Sequence, residues 1–200
     1  MELNNTFQKF SDLLNERFRR DVYTTEDSIR YTFYAALLST TELEPIDLIL
    51  EHNHPGIQGA QIDTVITGSN GIAVEFKYDR GNPGGSNQNR TLRAAAVMAD
   101  IFRLVKVPSS LATEKYFIYI TDSEMARYFR NPTNRLQEFF ELTGTAQFSI
   151  TSSRFQSSSP TFTTRIAPLV CDCAVVSVYS ADLAGGHCFR AFQVLAEQIV

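Results

Sequence analysis

Apolar residues recur at helical spacing over the first segment, where Phe7, Phe10, Leu13, Leu14 and Phe18 line one face and predict a helix over residues 7–20. A second helix is expected to start near Thr24 and run to about Leu38. Thr24, with Asp27 three residues on, reads as a capping-box variant that fixes the start. The period then shortens. Residues 46–51, 61–67 and 72–78 are short runs rich in β-branched and aromatic side chains, bounded by Pro, Gly and Asn, and they read as strands. Gly68-Ser69-Asn70-Gly71 between the last two marks a hairpin.

After a glycine-rich stretch at residues 81–85, an amphipathic helix is predicted over 87–106, with Leu92, Ala95, Ala96, Ala99, Phe102 and Val105 on its apolar face and Pro108 as its stop. Residues 116–121 are continuously apolar, as in a strand buried on both faces. Residues 124–142 predict one or two helices broken at Asn131-Pro132. From 149 to 164, ten of sixteen residues are Ser or Thr, with Phe148, Phe155 and Phe162 interleaved, and an exposed hairpin is expected. A strand at 174–179 and a closing helix or strand at 188–200 follow. This order predicts an α/β or α+β domain, a central mixed sheet flanked by helices, spanning residues 1–200 without repeat or linker.

Composition narrows the function classes. The 44% hydrophobic and 12% aromatic content suits a globular core and excludes a disordered or low-complexity chain. With 18 Lys and Arg against 22 Asp and Glu the net charge is −4, unlike an indiscriminate polyanion binder. No apolar run is long enough to span a membrane. Three cysteines and a start without a basic-then-apolar leader lead to the expectation of a reduced, cytoplasmic protein.

The chemistry concentrates at Asp63 and Glu75-Phe76-Lys77. Strand alternation puts Ala73, Glu75 and Lys77 on one face and Ile72, Val74, Phe76 and Tyr78 on the other. An inward acid–lysine pair needs a partner such as a metal ion, although Glu-x-Lys on a strand is also an ordinary surface ion pair. Opposed residues of an antiparallel pair share a face, so an odd-length loop, or a compensating bulge, is needed to keep Asp63 with Glu75 and Lys77. A three-residue loop, Ser69-Asn70-Gly71, would set Asp63 opposite Lys77 and Val65 opposite Glu75, with Gly71 left-handed. Two carboxylates holding Mg²⁺ or Mn²⁺, with a lysine beside a bound water, would suit phosphodiester hydrolysis.

Asp63 in Gln61-Ile62-Asp63-Thr64-Val65-Ile66 and Glu75-Phe76-Lys77 in Ala73-Val74-Glu75-Phe76-Lys77 resemble the motif of the PD-(D/E)XK nuclease superfamily. The likeness covers about residues 24–122; Ile62 stands where the family has Pro. It implies a restriction-endonuclease-like core and a metal-dependent DNA endonuclease of restriction, defence or repair type. Asp63 and Glu75 would bind metal and Lys77 would position water. The extension 123–200 is left to supply target recognition or a homodimer surface. A non-catalytic module of the same fold, binding nucleic acid or protein, is the alternative.

Many members of that superfamily add an acid from the first core helix. Glu26 is the first candidate because it leads the face of Ile29, Arg30, Phe33 and Leu37; Asp27 is expected to cap, and Glu51 is the third. Arg30 would form a helical pair with Glu26. From Lys77 to Lys106 six cations stand against two anions, and Arg80, Gln88, Arg90 and Arg93 are the expected DNA contacts, with Gly81, Gly84 and Gly85 admitting phosphate. His52-Asn53-His54 reads as a turn before Pro55-Gly56. Cys171, Cys173 and Cys188, with His187, read as structural thiols rather than a zinc site, because one-residue cysteine spacing suits a tetrahedral knuckle poorly.

Overall fold

The computed structural model describes residues 3–68, 70–80, 89–144, 146–156 and 158–196. The first apolar stripe forms α1 (Asn4–Arg19), which buries Phe7, Phe10 and Leu14. In α2 (Glu26–Thr40) the cap is Thr25 rather than Thr24. Its hydroxyl oxygen accepts from the Ser28 amide at 3.2 Å, and the Ser28 hydroxyl oxygen accepts from the Thr25 amide at 3.3 Å. A hydroxyl serves both halves of this box. Asp27 is therefore released from capping and meets Arg30 at 2.8 Å.

Among the described residues seven strands form one sheet: β1 (Leu48–Asn53), β2 (Gln61–Ile66), β3 (Ile72–Asp79), β4 (Glu114–Thr121), β5 (Gln147–Ile150), β6 (Cys173–Asp182) and β7 (Cys188–Ala196). Their order is β1-β2-β3-β4-β7-β6-β5. Only β3 and β4 are parallel, and the crossover that such a pair requires carries α3 (Arg90–Val105). The C-terminal extension is thus not an appendage. It continues the sheet past β4, which is buried along nearly its whole length.

Helices cover both faces. α1 and α2 pack on Val74, Phe76, Ile118 and Phe189. On the other face α3, α4 (Ser123–Arg130), α5 (Gln137–Phe140) and α6 (Pro160–Ile166) pack on Ala73, Phe117 and Phe192. Phe33 meets Phe10 and Phe76 edge-on, with ring centres 5.5 and 5.2 Å away. Each ring buried this way stabilises by about 1.5–3 kcal/mol, more than helix propensity supplies per residue.

Four expectations change. The Ser/Thr-rich segment is not a hairpin: only Gln147–Ile150 is strand, and Ser159-Pro160 starts α6, the Ser159 side chain accepting from the Phe162 amide. Phe155 and Phe162 turn inward together, 5.2 Å apart, and Phe155 meets Phe102 of α3. α3 starts at Arg90 with Asn89 as its cap, and Leu92 is exposed because the buried side centres on Ala95, Met98 and Phe102. Residues 81–88, with the glycine-rich stretch and Gln88, lie outside the described residues, as does Ser69. His52 and Asn53 belong to β1. The turn begins at His54, whose ring accepts from the Gly56 amide and reaches the Arg103 carbonyl at 3.0 Å.

The fourth change sets the register at the site. β2 and β3 pair as Thr64↔Val74, Val65↔Ala73 and Ile66↔Ile72, so the connection has five residues rather than three. It is still odd, and Gly71 is left-handed at φ +50°. Continuing that register brings Asp63 level with Glu75 instead of Lys77, and Val65 faces Ala73 instead of Glu75. The longer loop arises because its polar groups are used elsewhere. The Thr67 amide donates to the Asp47 carbonyl at 2.8 Å, and the Thr113 amide donates to the Asn70 and Gly71 carbonyls. A side chain at Gly71 would strike the Leu111 carbonyl.

Candidate active site

β2 joins β3 only from Thr64 onward, so beyond Val74 the β3 amides on that side have no ladder partner from β2. Two carboxylates take its place. Asp63 Oδ2 accepts from the Phe76 amide at 2.8 Å, and Glu26 Oε2, at the first position of α2, accepts from the Tyr78 amide at 3.0 Å. Glu26 also meets Lys77 Nζ at 3.4 Å. Asp63, Glu75, Lys77 and Glu26 are therefore gathered along one edge of β3.

Glu75 is 2% exposed. One of its oxygens, Oε2, meets Arg103 Nη2 of α3 at 3.3 Å; the other, Oε1, is buried without a hydrogen-bond partner. Burial pushes the Glu75 carboxyl well above the usual range, and the neighbouring Asp63 charge adds to this while Arg103 opposes it. Arg103 also holds Asp100 at 3.0 Å. Burial raises Asp100 to about 6 in spite of that arginine. For Lys77 burial acts downward, yet Glu26, Asp100 and Asp79 outweigh it and the ammonium titrates above its ordinary range. Lys77 is thus held protonated.

Arg30 does not pair with Glu26. It lies between Asp27 at 2.8 Å and Asp63 and Glu51, each at 3.6 Å. Glu51 sits at the rim, 62% exposed and with φ +51°, in the middle of edge strand β1. Asp79, at the end of β3, is buried against the Tyr119 hydroxyl at 2.9 Å.

The expected DNA contacts are spread more widely. Arg80 is exposed and donates to the Tyr23 hydroxyl at 2.8 Å. Arg93 donates to the Arg80 carbonyl at 2.9 Å and stands 3.9 Å from Asp79. Arg90 faces Glu124 of α4 at 3.5 Å, both about half exposed. Arg103, counted in sequence with the basic stretch, turns inward to the acids instead. Asp100 and Arg103 are the site residues that sequence reasoning passed over. Their signal was present: two charges three positions apart inside an otherwise apolar stretch of α3.

Among the described residues no group of three or more His, Cys, Asp or Glu is arranged to hold a metal ion, and no helix is long and apolar enough to cross a membrane. No protein-family model, no curated protein and no solved structure matches the chain.

Proposed function

We propose that the chain is a divalent-metal-dependent phosphodiesterase acting on DNA, an endonuclease of the PD-(D/E)XK kind. The observation that carries this reading is the Glu75 carboxylate. It is buried, level with Asp63, on the strand face of Lys77, and when it is ionised one oxygen has no donor and only the Asp63 carboxylate beside it. Leaving such an atom unsatisfied costs on the order of 1–3 kcal/mol, a cost that a cation would remove.

The donor chemistry fits Mg²⁺ or Mn²⁺, which take one or two carboxylates and complete their shells with water and phosphate oxygens. Asp63 and Glu75 would hold the ion, which supplies neutralisation of phosphate charge and a lowered pKa for bound water. The chain's own residues do the rest. Lys77, kept protonated by Glu26, faces the charge that develops on the phosphate oxygens. Glu26, fixed by the Tyr78 amide, orients Lys77. Arg103 meets Glu75 and Arg30 meets Asp63, which offsets the repulsion between the two carboxylates.

Those same arginines favour a second reading, a non-catalytic binding module whose acids are simply ion-paired. Plasmid incubation with Mg²⁺ or Mn²⁺, with a chelator control, separates the two. Cleavage by the wild type and a loss on the order of 10² or more in Lys77→Ala support the nuclease. Equal activity of the two proteins, or a wild type inert with either ion, leaves the binding module.

A further inference from the structure

At the end of β3, where the chain leaves the sheet, a cavity of about 410 Å³ opens between the α1–α2 and β6–β7 connections. One wall is aromatic. His187 lies parallel on Phe18 with 3.8 Å between ring centres, and the Tyr78 ring is 6.3 Å from each. Opposite stands Tyr23, 71% exposed, with the Arg80 guanidinium 4.7 Å over its ring. Two polar atoms face the space uncommitted. His187 Nδ1 is 3.1 Å from the Ala184 carbonyl and so carries a proton there, while Nε2 has no partner among the described residues. The Tyr78 hydroxyl has no partner among the described residues. Two acids also line the cavity, Asp21 and Asp122; one oxygen of Asp122, Oδ1, takes the Glu124 and Met125 amides.

Aromatic faces, a guanidinium plane and a few edge-on polar atoms suit a flat heteroaromatic ring. A second cavity, of about 350 Å³, shares His187 and brings Arg127 and Arg130 alongside. The position is as telling as the chemistry. Tyr78 follows Lys77 in β3, and one oxygen of Glu26 holds both the Tyr78 amide and Lys77 Nζ.

We propose that this cavity binds an unpaired nucleobase of a DNA strand, with the strand's phosphates passing Arg80 on one side and Arg127 on the other. The choice of ligand rests on the phosphodiesterase reading and makes it more specific. A paired base is stacked within its duplex and cannot enter, so DNA with a single-stranded end or gap is bound in preference to intact duplex.

The test is binding of a single-stranded oligonucleotide carrying one 2-aminopurine, in chelator, compared with the same oligonucleotide fully paired. Wild type should bind the single strand more tightly, with a change in 2-aminopurine emission on stacking. Tyr23→Ala, at an exposed position, should weaken single-strand binding about tenfold and leave duplex binding unchanged. His187→Leu, which keeps bulk against Phe18, should do the same at an unchanged melting temperature. Equal affinity for single strand and duplex, no measurable single-strand binding, or wild-type binding by both variants overturns the proposal. Metal-dependent cleavage of plasmid is read in parallel. Stacking without cleavage would sink the nuclease reading and keep the base site; cleavage without stacking would do the reverse.

Discussion

β4 is flanked by β3 on one side and β7 on the other, and each neighbour carries a deeply buried ionisable group in its middle stretch: Glu75 on β3 and Arg190 on β7. Arg190 is fully bonded. Its Nε donates to the Phe140 carbonyl at 3.1 Å, and Nη1 donates to the Ala181 and Phe189 carbonyls. Its Nη2 reaches Asp182 at 3.3 Å, and the guanidinium lies over the Phe140 ring. Glu75 has a single cation, a spare oxygen and a second acid beside it. The two charges share depth and strand environment, so depth alone does not separate them. What separates them is completion of the bonding. Arg190 clamps α5 and the β6–β7 pair together, whereas Glu75 is a charge the fold supports at a cost.

The contrast breaks most directly at Arg190. Arg190→Ala should lose about 3 kcal/mol or more of unfolding free energy, because three carbonyls lose their donor inside the protein. Urea denaturation checks it, and a loss below about 1 kcal/mol would show that the clamp is dispensable.

A second expectation concerns pH, where the two regions titrate in opposite senses. Asp100, beside Glu75's arginine, has its carboxyl raised from 3.8 to about 6 by burial, so the folded state keeps a proton that the unfolded chain has released. That contribution is complete below pH 3.8 and is lost as pH rises through about 6. For Asp182, burial acts upward but the Cys188 and Arg190 contacts outweigh it and hold the carboxyl low, so its contribution is lost only on acidification below the ordinary range. Melting without divalent cation should therefore reveal stability falling by on the order of 2 kcal/mol between pH 4 and 6.5. Asp100→Asn should reduce that slope and leave the part of the same sign that the raised Glu75 carboxyl contributes, and an unchanged slope would refute this origin for it.

The smallest effect carries the opposite sign. Glu75→Gln should raise cation-free stability by about 1 kcal/mol, since it removes a carboxyl that burial and Asp63 hold out of its ordinary ionised form. Destabilisation on the scale of Arg190→Ala would make the two buried charges equivalent after all.

The part of this site that lies along one strand was legible in the sequence. Alternation over Ile72–Asp79 set Glu75 and Lys77 apart from Phe76 and Tyr78, and parity alone required an odd loop to bring Asp63 to them. The loop's length was not legible, because Thr67, Asn70 and Gly71 spend their hydrogen bonds on Asp47 and Thr113, partners distant in sequence. Arg103 and Asp100 were hidden for a related reason. Which face of α3 meets β3 is decided by packing between α6 and the sheet, not by the helix's own pattern. Ser159-Pro160 is a different case: a hydroxyl cap before a proline is a readable helix start, obscured by the surrounding serines and threonines.

The strand order has a consequence for synthesis. β4 emerges from the ribosome soon after β3 and α3, yet its second neighbour is β7, at the far end of the chain. Until Cys188–Ala196 has been made, the row of amides and carbonyls from Tyr116 to Thr121 has no partner on that side, along a strand that the finished fold buries over nearly its whole length. A nascent chain in that state is a template for another copy. Ribosomes pausing between the codons for Thr121 and Cys188 would therefore shed aggregates rather than a smaller folded protein.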